Sequence, residues 1–174
     1  MASFVNVLKQ TDIFYGMNAT QLELVSNLCQ ERTFSAGEII FPEGAASDEL
    51  YVIIQGEVEI QVNPSLVSKP EASSLPASTI ATLRRGQSFG EIALVDQGLR
   101  SATARSGQNN TRVLVLPSEE LRSLCQTYPP FGYLLMYNLA ADLALKMRST
   151  DLLIREELLY RPLNLHDRPP ETGK

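Results

Sequence analysis

The stretch that decides how this chain is read is Phe89–Ser106, FGEIALVDQGLRSATARS. Glu91 follows a glycine, and Arg100 is followed by Ser101, Ala102, Thr103 and Ala104. A strand built only for packing favours Val, Ile or Phe at such places, so the small residues leave room beside Arg100. An arginine keeps its charge and presents a planar fork of donors that matches carboxylates and phosphates. Two readings follow. One is a structural arginine, paired with Glu91 or lying on the surface; the other is an anion site. Spacing alone favours the structural one. Gly90 and Glu91 shift the balance, because they open a helical-looking run, EIALV, whose free N–H groups would favour an anion. A carboxylate beside a phosphate needs a partner of its own, and it can only accept hydrogen bonds. A sugar hydroxyl is that partner, so acceptor and donor fork together suit a compact ribose-phosphate such as a cyclic nucleotide.

Working outward, 174 residues with 44% hydrophobic and 20% charged side chains suit one domain with a substantial core. The net charge of -5 offers no general attraction for a nucleic-acid backbone. No apolar run reaches the roughly 20 residues of a membrane span, and MASFVNVLKQ lacks the pattern of a signal peptide. Cys29 and Cys125 form no CxxC or metal pattern. A reduced, cytoplasmic protein is expected. In NATQLELVSNLCQER, Asn18 or Thr20 caps a helix that carries Leu22, Val25, Leu28 and Cys29 at helical spacing.

From Thr33 the pattern changes to short strands. Leu50, Val52 and Ile54 alternate before Gln55-Gly56, and Val58, Ile60 and Val62 alternate after it, which predicts a hairpin. STIATLRRGQSFG and TRVLVLPSEE supply further strands, and their short spacing predicts a sandwich or barrel. Residues 63–78 are rich in Pro, Ser and Ala and read as an exposed loop. After Pro117, Ser118 is expected to cap a helix with carboxylates in its first turn. A long helix is then expected from Pro129 to Tyr160, about 45 Å at the usual rise. Within it Met136, Ala140, Leu143, Met147, Thr150 and Ile154 follow a heptad seam. The proline-rich residues 161–174 are expected to be a disordered tail.

FGEIAL followed by LRSAT resembles the phosphate-binding cassette of the cyclic nucleotide-binding domain family, of the catabolite activator and protein kinase A regulatory subunit type. FPEGAASDELYVIIQGEVEI resembles that family's strand, glycine turn and glycine hairpin, and the likeness runs from Val7 to Tyr160. The resemblance implies a mainly β fold with flanking helices: a jelly-roll β-barrel plus a long C-terminal helix, all within residues 1–160. It implies that Gly90 and Glu91 hold the ribose, with Glu91 on the 2′-hydroxyl. Backbone at Ile92 and Ala93, with Arg100 and Ser101, would hold the cyclic phosphate. The long helix resembles the catabolite activator's dimerisation helix, on which Thr150 takes the position that contacts the purine. Leu99 stands where the family often has Pro.

The expected protein is a standalone sensor that binds cAMP in preference to cGMP. It would form a homodimer through its C-terminal helix, act on an effector protein that the sequence does not identify, and make no contact with nucleic acid or membrane. No helix-turn-helix, kinase or channel domain is expected after the long helix. The alternatives are a degenerate scaffold without ligand and a receptor for a cyclic dinucleotide. An enzyme is not expected: the one histidine, His166, lies in the tail, and no nucleophile elbow, metal cluster or phosphate-transfer loop is present.

Overall fold

The computed structural model describes residues 4–46, 48–63, 77–91, 94–95 and 98–160. They fall into two compact units that divide between Leu139 and Ala140. The first unit contains two four-stranded sheets and the helices around them. Its strands are β1 (Gln30–Phe34), β2 (Ile39–Phe41), β3 (Glu49–Gln55), β4 (Glu57–Val62), β5 (Ser78–Arg84), β6 (Ser88–Phe89), β7 (Thr103–Ser106) and β8 (Thr111–Pro117). One sheet has the order β1-β8-β3-β6 and the other β2-β7-β4-β5, with antiparallel neighbours throughout. This is the antiparallel β architecture with flanking helices that the resemblance implied.

The predicted hairpin at Gln55-Gly56 is not formed. β3 pairs with β8 and β6, and β4 pairs with β5 and β7, so the turn is a corner at which the chain changes sheet. Gly56 has φ +87°, and a Cβ there would lie 2.6 Å from Thr111 Oγ1 and 2.9 Å from Thr111 Cα. The alternation misled because β3 is buried on both faces. Leu50 and Val52 pack into the helical core, while Tyr51 and Ile53 join Val58, Phe89 and Val113 between the sheets. A strand covered on both sides reads as one apolar run, and such a run says nothing about which strand pairs with it.

The helices are α1 (Val5–Leu8), α2 (Ala19–Leu28), α3 (Ser118–Thr127) and α4 (Pro129–Tyr160), with a 3-10 turn at Asp12–Phe14. α2 starts with a capping box: the Asn18 side chain accepts from the Gln21 amide, and the Gln21 side chain accepts from the Asn18 amide. α3 departs from expectation. Pro117 occupies the cap position, Ser118 is the first helical residue, and its buried hydroxyl has no partner among the described residues. The Ser118 amide instead donates to the Asp48 carbonyl at 2.8 Å, a tie to the chain just before β3. Glu119 and Glu120 do stand in the first turn. Phe131, Leu135 and Leu139 of α4 complete the helical core, and Asn138 Nδ2 donates to the carbonyls of Ile13 and Tyr15. The half-buried Cys29 packs against this core, where burial pushes its thiol up to about 12.

The second unit contains the rest of α4, from Ala140 to Tyr160. Among the described residues, no helix is long and apolar enough to cross a membrane. Residues 64–76 of the expected loop and the expected tail 161–174 lie outside the described residues.

Candidate functional site

The site is organised by the segment between β6 and β7. Its first end is fixed by β6, where Phe89 pairs with Tyr51 and Ser88 with Val52. Gly90 follows with φ +79°, a left-handed conformation that glycine adopts without strain. Glu91 is buried, and its carbonyl accepts from the Leu94 amide at 3.0 Å. Leu94 and Val95 are helical, and Leu94 is buried in the helical core, so this side chain anchors the middle of the segment. Ile92 and Ala93 lie outside the described residues.

The second end is fixed through backbone. The Arg100 amide donates to the Ala45 carbonyl at 2.9 Å, and the Gly44 amide donates to the Arg100 carbonyl at 2.8 Å. Arg100 and Ser101 therefore precede β7 rather than lie on it; the strand begins at Thr103, whose hydroxyl accepts from the Glu43 amide at 3.0 Å. The tight turn at Gly44 pins this end before the sheet ladder starts. Ser101 is exposed beside it.

Arg100 is only 6% exposed. Its Nη1 donates to the Gly90 carbonyl at 3.2 Å and its Nη2 to the Glu49 carbonyl at 2.9 Å. Cζ lies 4.0 Å from the Phe41 ring centroid and 5.4 Å from that of Tyr51, a cation–π arrangement over an aromatic cluster completed by Phe89. Nε is buried without an acceptor among the described residues. Burial lowers the Arg100 pKa, and Tyr51, Glu49 and Asp48 pull it back up. The Glu49 carboxylate itself is engaged, accepting from the Tyr51 hydroxyl and from both Arg32 Nη atoms, at 3.2 and 2.7 Å. Burial, then the Glu49 carboxylate, hold the Tyr51 phenol well above its usual range.

The fold thus brings Gly90, Glu91 and Arg100 together, although the last two are nine positions apart in the chain. The space next to Gly90 is used by the protein itself: a Cβ on Gly90 would lie 2.6 Å from Arg100 Nη1 and 3.2 Å from the Glu49 carbonyl. A buried guanidinium held by neutral carbonyls and an aromatic face, with three of its five N–H groups, Nε–H among them, not bonded among the described residues, is suited to an anion. Phe41, Glu49 and Tyr51 escaped the sequence reading. Tyr51 shows in the sequence as an interruption of the aliphatic run on β3, but only the crossing of β2, β3 and β6 places Phe41 and Tyr51 beneath Arg100. Thr150 lies in the second unit, exposed, with its hydroxyl donating to the Lys146 carbonyl at 3.0 Å within α4.

The two antiparallel sheets thus hold a segment between β6 and β7 that carries a left-handed glycine, a buried glutamate and a buried arginine. The family model described as "Cyclic nucleotide-binding domain" matches residues 31–128. This chain belongs to the cyclic nucleotide-binding domain family. It is 31% identical over 145 residues to the cyclic AMP receptor protein of Thermus thermophilus, a match covering 83% of this chain and 61% of that protein. It is 30% identical over 104 residues to the cAMP-dependent protein kinase regulatory subunit of Schizosaccharomyces pombe, covering 59% of this chain and 25% of that one. A solved cyclic nucleotide-binding domain from Methylobacillus flagellatus shares the fold with a TM-score of 0.75 at 20% identity, over 90% of this chain and 87% of that one. The chain thus spans about three fifths of the first relative and a quarter of the second.

Proposed function

We propose that this domain binds a 3′,5′-cyclic nucleotide at the β6–β7 segment, with cAMP preferred over cGMP, and passes the binding event on through α4 as a regulator rather than an enzyme. The observation that carries this reading is Arg100: a buried guanidinium whose Nε lacks an acceptor among the described residues, drawn against Gly90 beside a buried Glu91. In this reading Arg100, the Ser101 hydroxyl and backbone at Ile92 and Ala93 hold the cyclic phosphate. Gly90 and Glu91 hold the ribose, with Glu91 accepting from the 2′-hydroxyl. Two of the arginine's N–H groups stay on carbonyls and fix the plane of the fork; the rest serve the phosphate. The preference for cAMP rests on Thr150, by its likeness to the purine-contacting position of the family, and on the similarity to the cyclic AMP receptor protein.

Residues 1–160 form the binding domain with its helix, and two copies associate along Met136, Ala140, Leu143, Met147, Thr150 and Ile154. Met136, Met147 and Ile154 are 37%, 68% and 52% exposed in the single chain, which leaves apolar surface for a partner helix. Calorimetric titration with cAMP, cGMP, cyclic di-GMP and AMP tests the ligand. Tightest binding of cAMP is expected, with cGMP weaker and AMP negligible. Binding of none makes the domain a ligand-free scaffold, and tightest binding of cyclic di-GMP makes it a dinucleotide receptor. Light scattering at tens of micromolar tests the dimer, which a monomer mass with and without cAMP would refute.

A further inference from the structure

α4 carries more exposed apolar surface than one partner helix can cover. At about 100° per residue, Leu143, Met147, Thr150 and Ile154 form one stripe, and Ala141, Leu145, Leu152 and Leu159 form a second about 180° away. Leu145, Leu152 and Leu159 recur every seven residues and are 61%, 58% and 80% exposed. The second stripe is not purely apolar. With these leucines at heptad position a, position d is held by Ala141, Arg148 and Arg155. Both arginines are exposed, and neither is in an ion pair among the described residues; Asp151 lies between them in sequence and pairs with neither, while Asp142 pairs with Lys146 at 2.7 Å.

A second copy of the chain is a poor occupant for this stripe. A parallel pair sets Arg148 against Arg148 and Arg155 against Arg155, a like-charge contact in the seam. An antiparallel pair sets Leu152 against Arg148 and Leu145 against Arg155, which buries each charge without a partner. A lipid surface is also disfavoured. The sequence from 141 to 159 contains three basic residues, Lys146, Arg148 and Arg155, and four acidic ones, Asp142, Asp151, Glu156 and Glu157, a net charge of 3 − 4 = −1. The occupant these residues select is a helix that brings both leucines and carboxylates.

We propose that the Leu145–Arg148–Leu152–Arg155–Leu159 stripe docks an acidic amphipathic helix of another protein, with leucines opposite its leucines and carboxylates opposite Arg148 and Arg155. The stripe spans roughly 21 Å of helix, about four turns. The inference rests on the proposed dimer only in assigning the opposite stripe to the partner copy. In the full chain this surface is the point at which an effector reads the state of α4.

The test uses the full chain and two synthetic helical probes, one with leucines at a and glutamates at d, the other with lysines in place of the glutamates. Fluorescence anisotropy should show saturable binding of the acidic probe and at least tenfold weaker binding of the basic one. Arg148→Glu/Arg155→Glu changes only exposed side chains, and it should invert that preference while its cAMP titration matches wild type. Failure of nucleotide binding in wild type and variant alike concerns the ligand reading and leaves the probe result decisive for this one. Four outcomes overturn the proposal: no binding of the acidic probe, equal binding of both probes, an unchanged preference in the variant, or a tetramer mass that Leu152→Glu reduces to a dimer. Binding to phosphatidylserine vesicles in place of the acidic probe overturns it as well.

Discussion

Replacing Arg100 by alanine separates two roles that the structure combines in one side chain. The guanidinium donates to the carbonyls of Gly90 and Glu49 and lies 4.0 Å from the Phe41 ring centroid. A hydrogen bond from a charged donor contributes about 1.5–3 kcal/mol net, and a cation–π contact about 0.5–2 kcal/mol. Burial of the charge opposes both, as the lowered Arg100 pKa reflects. The expected net destabilisation is about 1–3 kcal/mol. For a chain of this size that corresponds to a fall in Tm of about 2–12 °C with the fold retained. The ligand effect is read on top of that fall. At about 100 times Kd, a ligand adds roughly 2.7 kcal/mol, or about 5–11 °C. Loss of the charge-assisted phosphate contact weakens binding about 10–150-fold, which at the same cAMP concentration leaves roughly half of that shift or less. Differential scanning fluorimetry of both proteins with and without cAMP measures both quantities. An Arg100→Ala protein that shows the full wild-type shift with cAMP would remove phosphate recognition from Arg100, whatever its baseline Tm.

Gly90→Ala should lower stability by about 1–2 kcal/mol through its left-handed φ and weaken cAMP further by displacing Arg100 Nη1, which a Cβ would approach to 2.6 Å; unchanged cAMP affinity in calorimetry contradicts the coupling between these residues. Glu91→Gln should weaken cAMP but add little to the loss caused by a 2′-deoxy cyclic nucleotide, and additive losses in that double cycle would separate Glu91 from the 2′-hydroxyl. Thr150→Val should keep the dimer, lose about 1–3 kcal/mol toward cAMP and narrow the cAMP/cGMP ratio; an unchanged ratio ends its role in reading the base. The Cys29 thiol, raised by burial from 9.0 to about 12, favours the folded state fully below pH 9. That contribution is lost as pH rises through about 12, so urea midpoints between pH 8 and 11 should fall less steeply for Cys29→Ala than for wild type.

Some local chemistry announced itself along the chain because it depends on near neighbours, although the cap of α3 fell on Pro117 and not on Ser118. The α2 capping box needs only Asn18 and Gln21, three residues apart, and the start and length of α4 follow from Pro129-Pro130 and an uninterrupted helical run. The Gly90-Glu91 and Arg100-Ser101 pairs stood out as a candidate ligand motif because the residue types are wrong for packing. Strand pairing was not legible. β3 is apolar on both faces, and only the assembled sheets decide that Gly56 turns a corner while β8 supplies β3's central partner. The setting of Arg100 was hidden for the same reason: Phe41, Glu49 and Tyr51 come from strands and lie 49 to 59 residues earlier in the chain. A sequence specifies which side chains can bond, over the few residues that local geometry spans. Which of them meet across two sheets depends on how the whole core closes, because buried charge and apolar area are satisfied only by the complete set of contacts.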